Sequence, residues 1–413
     1  MPQSWAGRAV SPLALITVAV FATTAVGTGQ PPNAGLALRG ATIYVTPDGT
    51  PIRDGVVVTR TGRIEAVGDR AEVALPPGMP VIDLAGQVVV AGFWNSHVHF
   101  SGKQFADAAG APAASLSDAA REMLTRFGFT TVFDTGSSLT NTLALRKRIE
   151  SGQVDGPLIF TTGDILYPAG VKDARFQIRT PAEAIAATNT LLDGSADGLK
   201  VYAQAFWDPK LTLSPEILTA VRAETRRRHV QMFAHPSNRE GLFNAIDAGV
   251  DVLVHTTPQI GPWGRELVAK MKAANIALIP TLQLWRFELV RGKAPAEAVE
   301  RFQQRGVEQL RDYFSAGGQI LFGTDVGYMT DFSTLEEFQK MAEAGMGFHD
   351  ILAALTTAPP ARHGLGARKG RIAVGLDADL VVLRSDPAAD ISAFADVGYT
   401  IRGGRIIYRA NRK

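Results

Sequence analysis

The sequence contains no cysteine. Disulfides, thiolate nucleophiles, Cys-ligated zinc, iron–sulfur clusters and Cys-linked lipid anchors are therefore excluded. It also lacks an excess of either charge. Against 42 Lys plus Arg stand 40 Asp plus Glu, a formal net charge of +2 over 413 residues. That balance provides no basic footprint for nucleic acid and no polybasic membrane patch. No Gly-x-Gly-x-x-Gly follows a predicted strand, which removes the main dinucleotide reading. Histidine is scarce, with seven in the chain, so each can be weighed in turn. What is present is ordinary for a globular protein: 46% hydrophobic and 20% charged residues, values that exclude a disordered or fibrous chain.

Arg8 is the only charge before residue 39, and Ala9 to Val26 is an unbroken run of apolar and small residues. Ala25-Val26-Gly27 and the polar Gln30-Pro31-Pro32-Asn33 follow. One positive charge, a short apolar core and a small-x-small ending predict a secretory signal peptide over residues 1–27. An uncleaved anchor is the alternative, and Pro12 with its small neighbours makes a poor permanent span. Cleavage leaves a mature charge of +1, no stable membrane insertion, and a periplasmic or secreted location. A homo-oligomer is left open.

Residues 28–90 and 366–413 read as short strands broken by turns such as Asp48-Gly49, Thr61-Gly62 and Gly403-Gly404. Neither piece has enough strands for a core of its own, so together they predict one small β-sandwich assembled from both chain ends. Between them, over 91–365, apolar strand-like runs alternate with amphipathic helical stretches. Counting Val88-Val89-Val90 as the first strand, eight runs end in Gln319-Ile320-Leu321-Phe322. A helix from Ala182 to Leu192 is expected, with Thr180-Pro181 at its start. Residues 291–316 read as a charged outer helix. The pattern predicts an α/β fold, a TIM (β/α)8 barrel.

His97-Val98-His99 sits just past the first of these strands, with both imidazoles on one face. Lys200, His235, His255 and Asp325 each fall at the carboxyl end of an apolar run, the rim where barrel enzymes place their sites. Imidazoles with a carboxylate suit zinc first, or manganese or cobalt. Lys200 lies inside the apolar strand Gly198 to Tyr202, where burial would push its ammonium pKa down. A neutral amine that takes up CO2 becomes an anionic carbamate able to bridge two metals. His229 reads as a surface residue beside Arg226-Arg227-Arg228, and His349 and His363 lack a strand-end context.

With these residues in view the chain resembles the amidohydrolase superfamily, in its imidazolonepropionase-like and prolidase-like branch. Ala91-Gly92-Phe93-Trp94-Asn95-Ser96-His97-Val98-His99 is similar to the family's opening metal motif, with Ala91 and Asn95 where Pro and Asp are usual. Ser195 to Lys200 is similar to the carboxylated-lysine strand, and Phe233-Ala234-His235, Val254-His255 and Gly323-Thr324-Asp325 match the later ligands. Thr356 to Ala361 and Gly370 to Leu380 resemble the return from barrel to sandwich.

The resemblance implies a metal-dependent hydrolase with two divalent ions, zinc first. One is held by His97, His99 and Asp325 and the other by His235 and His255. N6-carboxylated Lys200 and a hydroxide bridge them. Asp325 then moves the proton from the attacking hydroxide to the leaving amine. The expected substrate is a small molecule with a carboxamide C–N bond: a dipeptide, an N-acyl amino acid or a cyclic amide. Tyr202 is expected to bind it, with Tyr167, Trp207, Trp285 and Tyr328 as apolar walls and Arg175 or Arg286 as carboxylate clamps. A lactone, ester or phosphotriester hydrolase on the same site is the alternative. A mononuclear deaminase would leave Lys200 idle, and a binding protein without metal would leave the ligand set unexplained.

Overall fold

The computed structural model describes residues 35–204, 208 and 210–411. The expected leader and Trp207 lie outside the described residues, and no described helix is long and apolar enough to cross a membrane.

Strands from both chain ends join in one hydrogen-bonded sheet of eight. Its order is Arg405–Arg409, Val397–Arg402, Leu380–Leu383, Val88–Ala91, Leu36–Ile43, Ile52–Arg60 and Arg63–Asp69, with Val81–Asp83 also paired to Leu36–Ile43. Two of its hairpins turn on consecutive residues of positive φ, Thr61-Gly62 and Gly403-Gly404, the backbone shape that matches strand twist. Leu36, Leu38, Ile43, Val57, Val89, Leu380, Val382 and Ile401 pack into one buried cluster of this sheet.

Val88–Ala91 is thus not a strand of the central set. It pairs antiparallel with Leu380–Leu383 and parallel with Leu36–Ile43. Its uniformly apolar sequence reflects burial of all four residues inside the end sheet. The first central strand is Phe93–Val98, so His97 lies within a strand rather than beyond one.

The central strands are parallel and form two sheets. One holds Phe93–Val98, Phe129–Asp134 and Leu158–Thr161. The other runs Phe176–Ile178, Leu166–Pro168, Gly198–Tyr202, Gln231–His235, Val252–Val254, Ala277–Ile279 and Gln319–Ile320. Backbone hydrogen bonds join both edges of the three-stranded sheet to the other. Asp197 N donates to Thr161 O at 2.7 Å, Ser96 N to Phe322 O at 2.7 Å, and His99 N to Val326 O at 2.8 Å.

Side chains alternate across these strands. Phe233, Val252, Val254, Ala277, Ile279 and Leu321 form one buried cluster, whereas Met232, Ala234, Leu253 and Leu278 belong to the larger core. The register pairs Lys200 with Phe233 and Tyr202 with His235. Lys200 and Tyr202 therefore share the sheet face of the smaller cluster.

Helix starts follow local chemistry. Thr180, Ser214 and Asn238 each accept a backbone N–H from the first turn of the helices Pro181–Asp193, Pro215–Arg227 and Arg239–Asp247, each cap contributing about 1 kcal/mol. The helix expected over 291–316 is present as Ala296–Ser315, and a separate helix, Leu282–Arg291, precedes it. The Gly292 C-cap and Pro295, which cannot donate a hydrogen bond, divide them.

Candidate metal centre

His97, His99, Lys200, Tyr202, His235, His255 and Asp325 line one cavity of ≈ 600 Å³. His97, His255 and Asp325 are buried and bring their ligand atoms within 4.8 Å of one another. His99 joins them: its Nε2 is 2.9 Å from Asp325 Oδ1 and 3.2 Å from His97 Nε2. The His235 ring meets that of His255 at 4.5 Å and stacks on Tyr202 at 4.0 Å. Lys200 is 2% exposed, among the largest buried side chains of the protein.

The imidazoles are aimed by their far nitrogens. The Thr281 hydroxyl donates to Pro280 O, so it accepts at 2.6 Å from His255 Nδ1. His99 Nδ1 lies 3.0 Å from Gly136 O and donates there. Each bond fixes the tautomer and leaves Nε2 as a lone pair toward the centre. Asp134, which the sequence reading passed over, secures the turn bearing Gly136. It is fully buried and accepts from Ser137 Oγ at 2.6 Å, Thr161 Oγ1 at 2.7 Å and Thr142 Oγ1 at 3.1 Å. Its signal was the same strand-end position that marked the other residues. Asn95, in place of the usual Asp, is not wasted. Its amide donates to Thr324 Oγ1 at 2.7 Å and its oxygen accepts from the backbone N–H of His97 and of Thr324, both at 3.2 Å.

The backbone is bent to the same end. His255, Thr281 and Asp325 are non-glycine residues at φ +73°, +45° and +64°, conformations that cost on the order of 1–3 kcal/mol each. Gly327 follows because a Cβ there would stand 1.8 Å from the His99 carbonyl oxygen.

Burial holds His235 and His255 well below the ordinary imidazole range and brings His97 down to about 3, with the Lys200 charge adding to the effect at His97 and His235. Burial also lowers Lys200 to about 7, against the pull of Asp325 and Asp134. Burial alone would raise Asp325, but His97 and His99 outweigh it and keep the carboxyl well below the usual range. His97, His235 and His255 are therefore held as neutral imidazoles beside the Asp325 carboxylate. Asp325 Oδ1, 3.1 Å from His97 Nε2, has no properly angled hydrogen bond, and neither does buried His97 Nδ1. Lone pairs crowded in this way call for a cation. Metal–ligand bonds of about 2.0–2.2 Å place neighbouring donors roughly 3 Å apart, so the residues fit a divalent ion.

Above this floor, Leu284, Trp285, Glu288 and Arg291 line the cavity from the helix Leu282–Arg291, with Ile165, Tyr167 and Tyr328 opposite and beside them. Buried Glu337 seats that helix by accepting from Leu282 N and Gln283 N, each at 2.9 Å. The arginines expected as clamps are engaged elsewhere: Arg175 pairs with Asp164, and Arg286 with Glu336 and Asp331. Arg291, read only as the start of an outer helix, is the arginine that lines the cavity. His229 is exposed. His363 stacks with Trp94 and Phe133 away from the cavity, and His349 bonds to Pro47 O.

A family model described as "Amidohydrolase family" matches residues 88–407. The ochratoxinase of Aspergillus niger is 24% identical over 89% of this chain and 85% of its own. An N-acyl-D-aspartate deacylase from Alcaligenes xylosoxydans xylosoxydans is 34% identical over 39% of this chain and 28% of its own. Among solved structures, a protein from Bifidobacterium longum assigned as a prolidase superposes with a TM-score of 0.79 at 28% identity, covering 92% of this chain and 96% of its own.

Proposed function

The chain belongs to the amidohydrolase family, and from that premise we propose that it cleaves a carboxamide C–N bond in a small molecule: a dipeptide, an N-acyl amino acid or a cyclic amide. The observation that carries this reading is the convergence of His97, His99, His235, His255, Asp325 and buried Lys200 on one cavity. The deacylase and the prolidase-like neighbour, whose names imply cleavage of C–N bonds, support it.

In this reading the two central sheets are arcs of one (β/α)8 barrel, supported by the hydrogen bonds at both edges of the three-stranded sheet. His97, His99 and Asp325 would hold one divalent ion and His235 and His255 a second, with N6-carboxylated Lys200 as a shared anionic ligand. The ions, zinc first, supply a strongly nucleophilic water at neutral pH and polarise the scissile carbonyl. The rest falls to the chain. Lys200, an amine whose buried setting disfavours the ammonium, adds CO2 at Nζ with loss of one proton and so presents two anionic oxygens. Thr281 and Gly136 keep His255 and His99 in the tautomers that face the centre. Asp325 accepts a proton from the attacking water at its carboxylate and delivers it to the leaving nitrogen, which otherwise departs poorly. Tyr202, held against His235, offers its hydroxyl to the substrate.

Screening metal-loaded enzyme against acyl dipeptides, Xaa-Pro dipeptides and lactones, with elemental analysis alongside, tests the reading. Amide turnover with close to two ions per chain is expected. Lactone or aryl-ester turnover without any amide would replace it, and full activity with one ion or none would end the binuclear assignment. We also propose export with cleavage near Thr28, to be read by N-terminal sequencing of the protein recovered from its host's envelope.

A further inference from the structure

The wall formed by the helix Leu282–Arg291 carries charged groups that the proposed chemistry leaves unused. Leu284, Trp285, Glu288 and Arg291 are spaced to share one helical face, and all four line the cavity. Glu288, Arg291 and Tyr328 form a closed ring. Arg291 Nη2 donates to Glu288 Oε2 at 2.8 Å and to the Tyr328 hydroxyl at 2.7 Å, and that hydroxyl donates to Glu288 Oε1 at 2.7 Å. The guanidinium also lies over the rings of Tyr328 and Phe287, at 5.3 and 5.6 Å from their centroids.

This ring has one polarity. Glu288 accepts at both oxygens within the ring, so its charge is already met by Arg291 and the Tyr328 hydroxyl. Arg291 spends only Nη2. Among the described residues its Nε and Nη1 have no hydrogen-bond partner, on a side chain 55% exposed. A planar donor group, oriented before any ligand arrives, suits a carboxylate. Between this ring and the floor, Ile165, Tyr167, Leu284 and Trp285 present apolar surface. Whatever spans the cavity therefore has its scissile bond at the floor, an apolar group in the middle and an anionic end at the mouth.

We propose that Arg291 is a specificity-determining residue that binds a carboxylate at the end of the substrate remote from the scissile bond. The substrates are then amides in which an apolar segment separates the scissile bond from a free carboxylate, rather than neutral cyclic amides. The inference rests on the amide reading above for its scissile bond, but not for its binding test. Calorimetry of the metal-loaded enzyme with phenylpropionate and with phenylpropanol reads the carboxylate alone. The acid should bind roughly 10- to 100-fold more tightly than the alcohol, the range of hydrogen bonds to a charged group. Arg291→Ala, at an exposed helix end, should erase most of that ratio and leave the alcohol unchanged, and Arg291→Lys should restore part of it. In turnover, Arg291→Ala should raise KM for 6-acetamidohexanoate by a similar factor with kcat nearly constant, and leave 6-acetamidohexan-1-ol unaffected. An acid-to-alcohol ratio that survives Arg291→Ala would overturn the proposal, as would equal losses for both ligands. Carboxylate-selective binding without any amide turnover would instead sink the amide reading and leave Arg291 standing.

Discussion

The floor and the mouth of the cavity are built on different plans. The floor draws its groups from the ends of several separate strands, buries them, aims them through Thr281, Gly136 and Asp134, and holds three backbones at strained angles. The mouth takes most of its groups from one helix face, with Arg291 and Tyr328 substantially exposed and bound mainly to each other and to Glu288. Chemistry is thus fixed by many elements that cannot move independently, and recognition by one element that can vary without disturbing them. Loss at the floor should act on turnover, and loss at the mouth on selectivity.

The hardest test of that division is Lys200. On the proposed carbamate mechanism, Lys200→Ala should abolish activity, because it would remove an anionic bridge and open a gap about the size of a small carboxylate. Formate or acetate should restore part of it, whereas Lys200→Arg, with a fixed positive charge, should be dead and beyond rescue. Revival of Lys200→Ala by amines and not by acids would make the lysine an ammonium. Asp325→Asn comes next. The folded, at least partly metallated variant should lose roughly 10²–10⁴ in kcat, the span for a positioned acid–base group, and a near-normal rate would reduce Asp325 to a ligand. Thr281→Val removes only the partner of His255 Nδ1. Metal affinity, measured by chelator competition, should fall about 10- to 100-fold, and unchanged affinity would show that the ring is held by packing alone. Smallest of all is Arg286→Ala. Its pairs with Glu336 and Asp331 are partly exposed, so unfolding should move by about 0–1 kcal/mol with KM unaltered. A raised KM would extend the recognition wall beyond the cavity lining.

The same division explains what could be read in the sequence. Floor residues carry a signature: a lysine, histidine or aspartate at the end of an apolar run is out of place unless it works, and Lys200, His235, His255 and Asp325 stood out for that reason. Phe93–Val98 was harder, since buried Asn95, Ser96 and His97 break its apolar pattern while wholly apolar Val88–Ala91 imitates a central strand. Which sheet buries an apolar run is decided by partners far along the chain. Arg291 had no signature at all. Its place depends on the phase of a helix that begins at Leu282, just past a strand end, and a charged residue near a helix end looks the same whether it meets solvent or substrate.

The end sheet has a consequence for how the molecule is made. Val88–Ala91 needs Leu36–Ile43 on one side and Leu380–Leu383 on the other. During synthesis the first neighbour is present early, but the second emerges only after every central strand. Until then four apolar residues form an open edge, the feature that recruits wrong partners. Closing it late links distant parts of the chain, a slow kind of folding step. A ribosome-bound chain lacking its last strands should therefore expose that edge to chaperones, and removing the final forty residues should ruin a catalytic floor to which they donate no side chain.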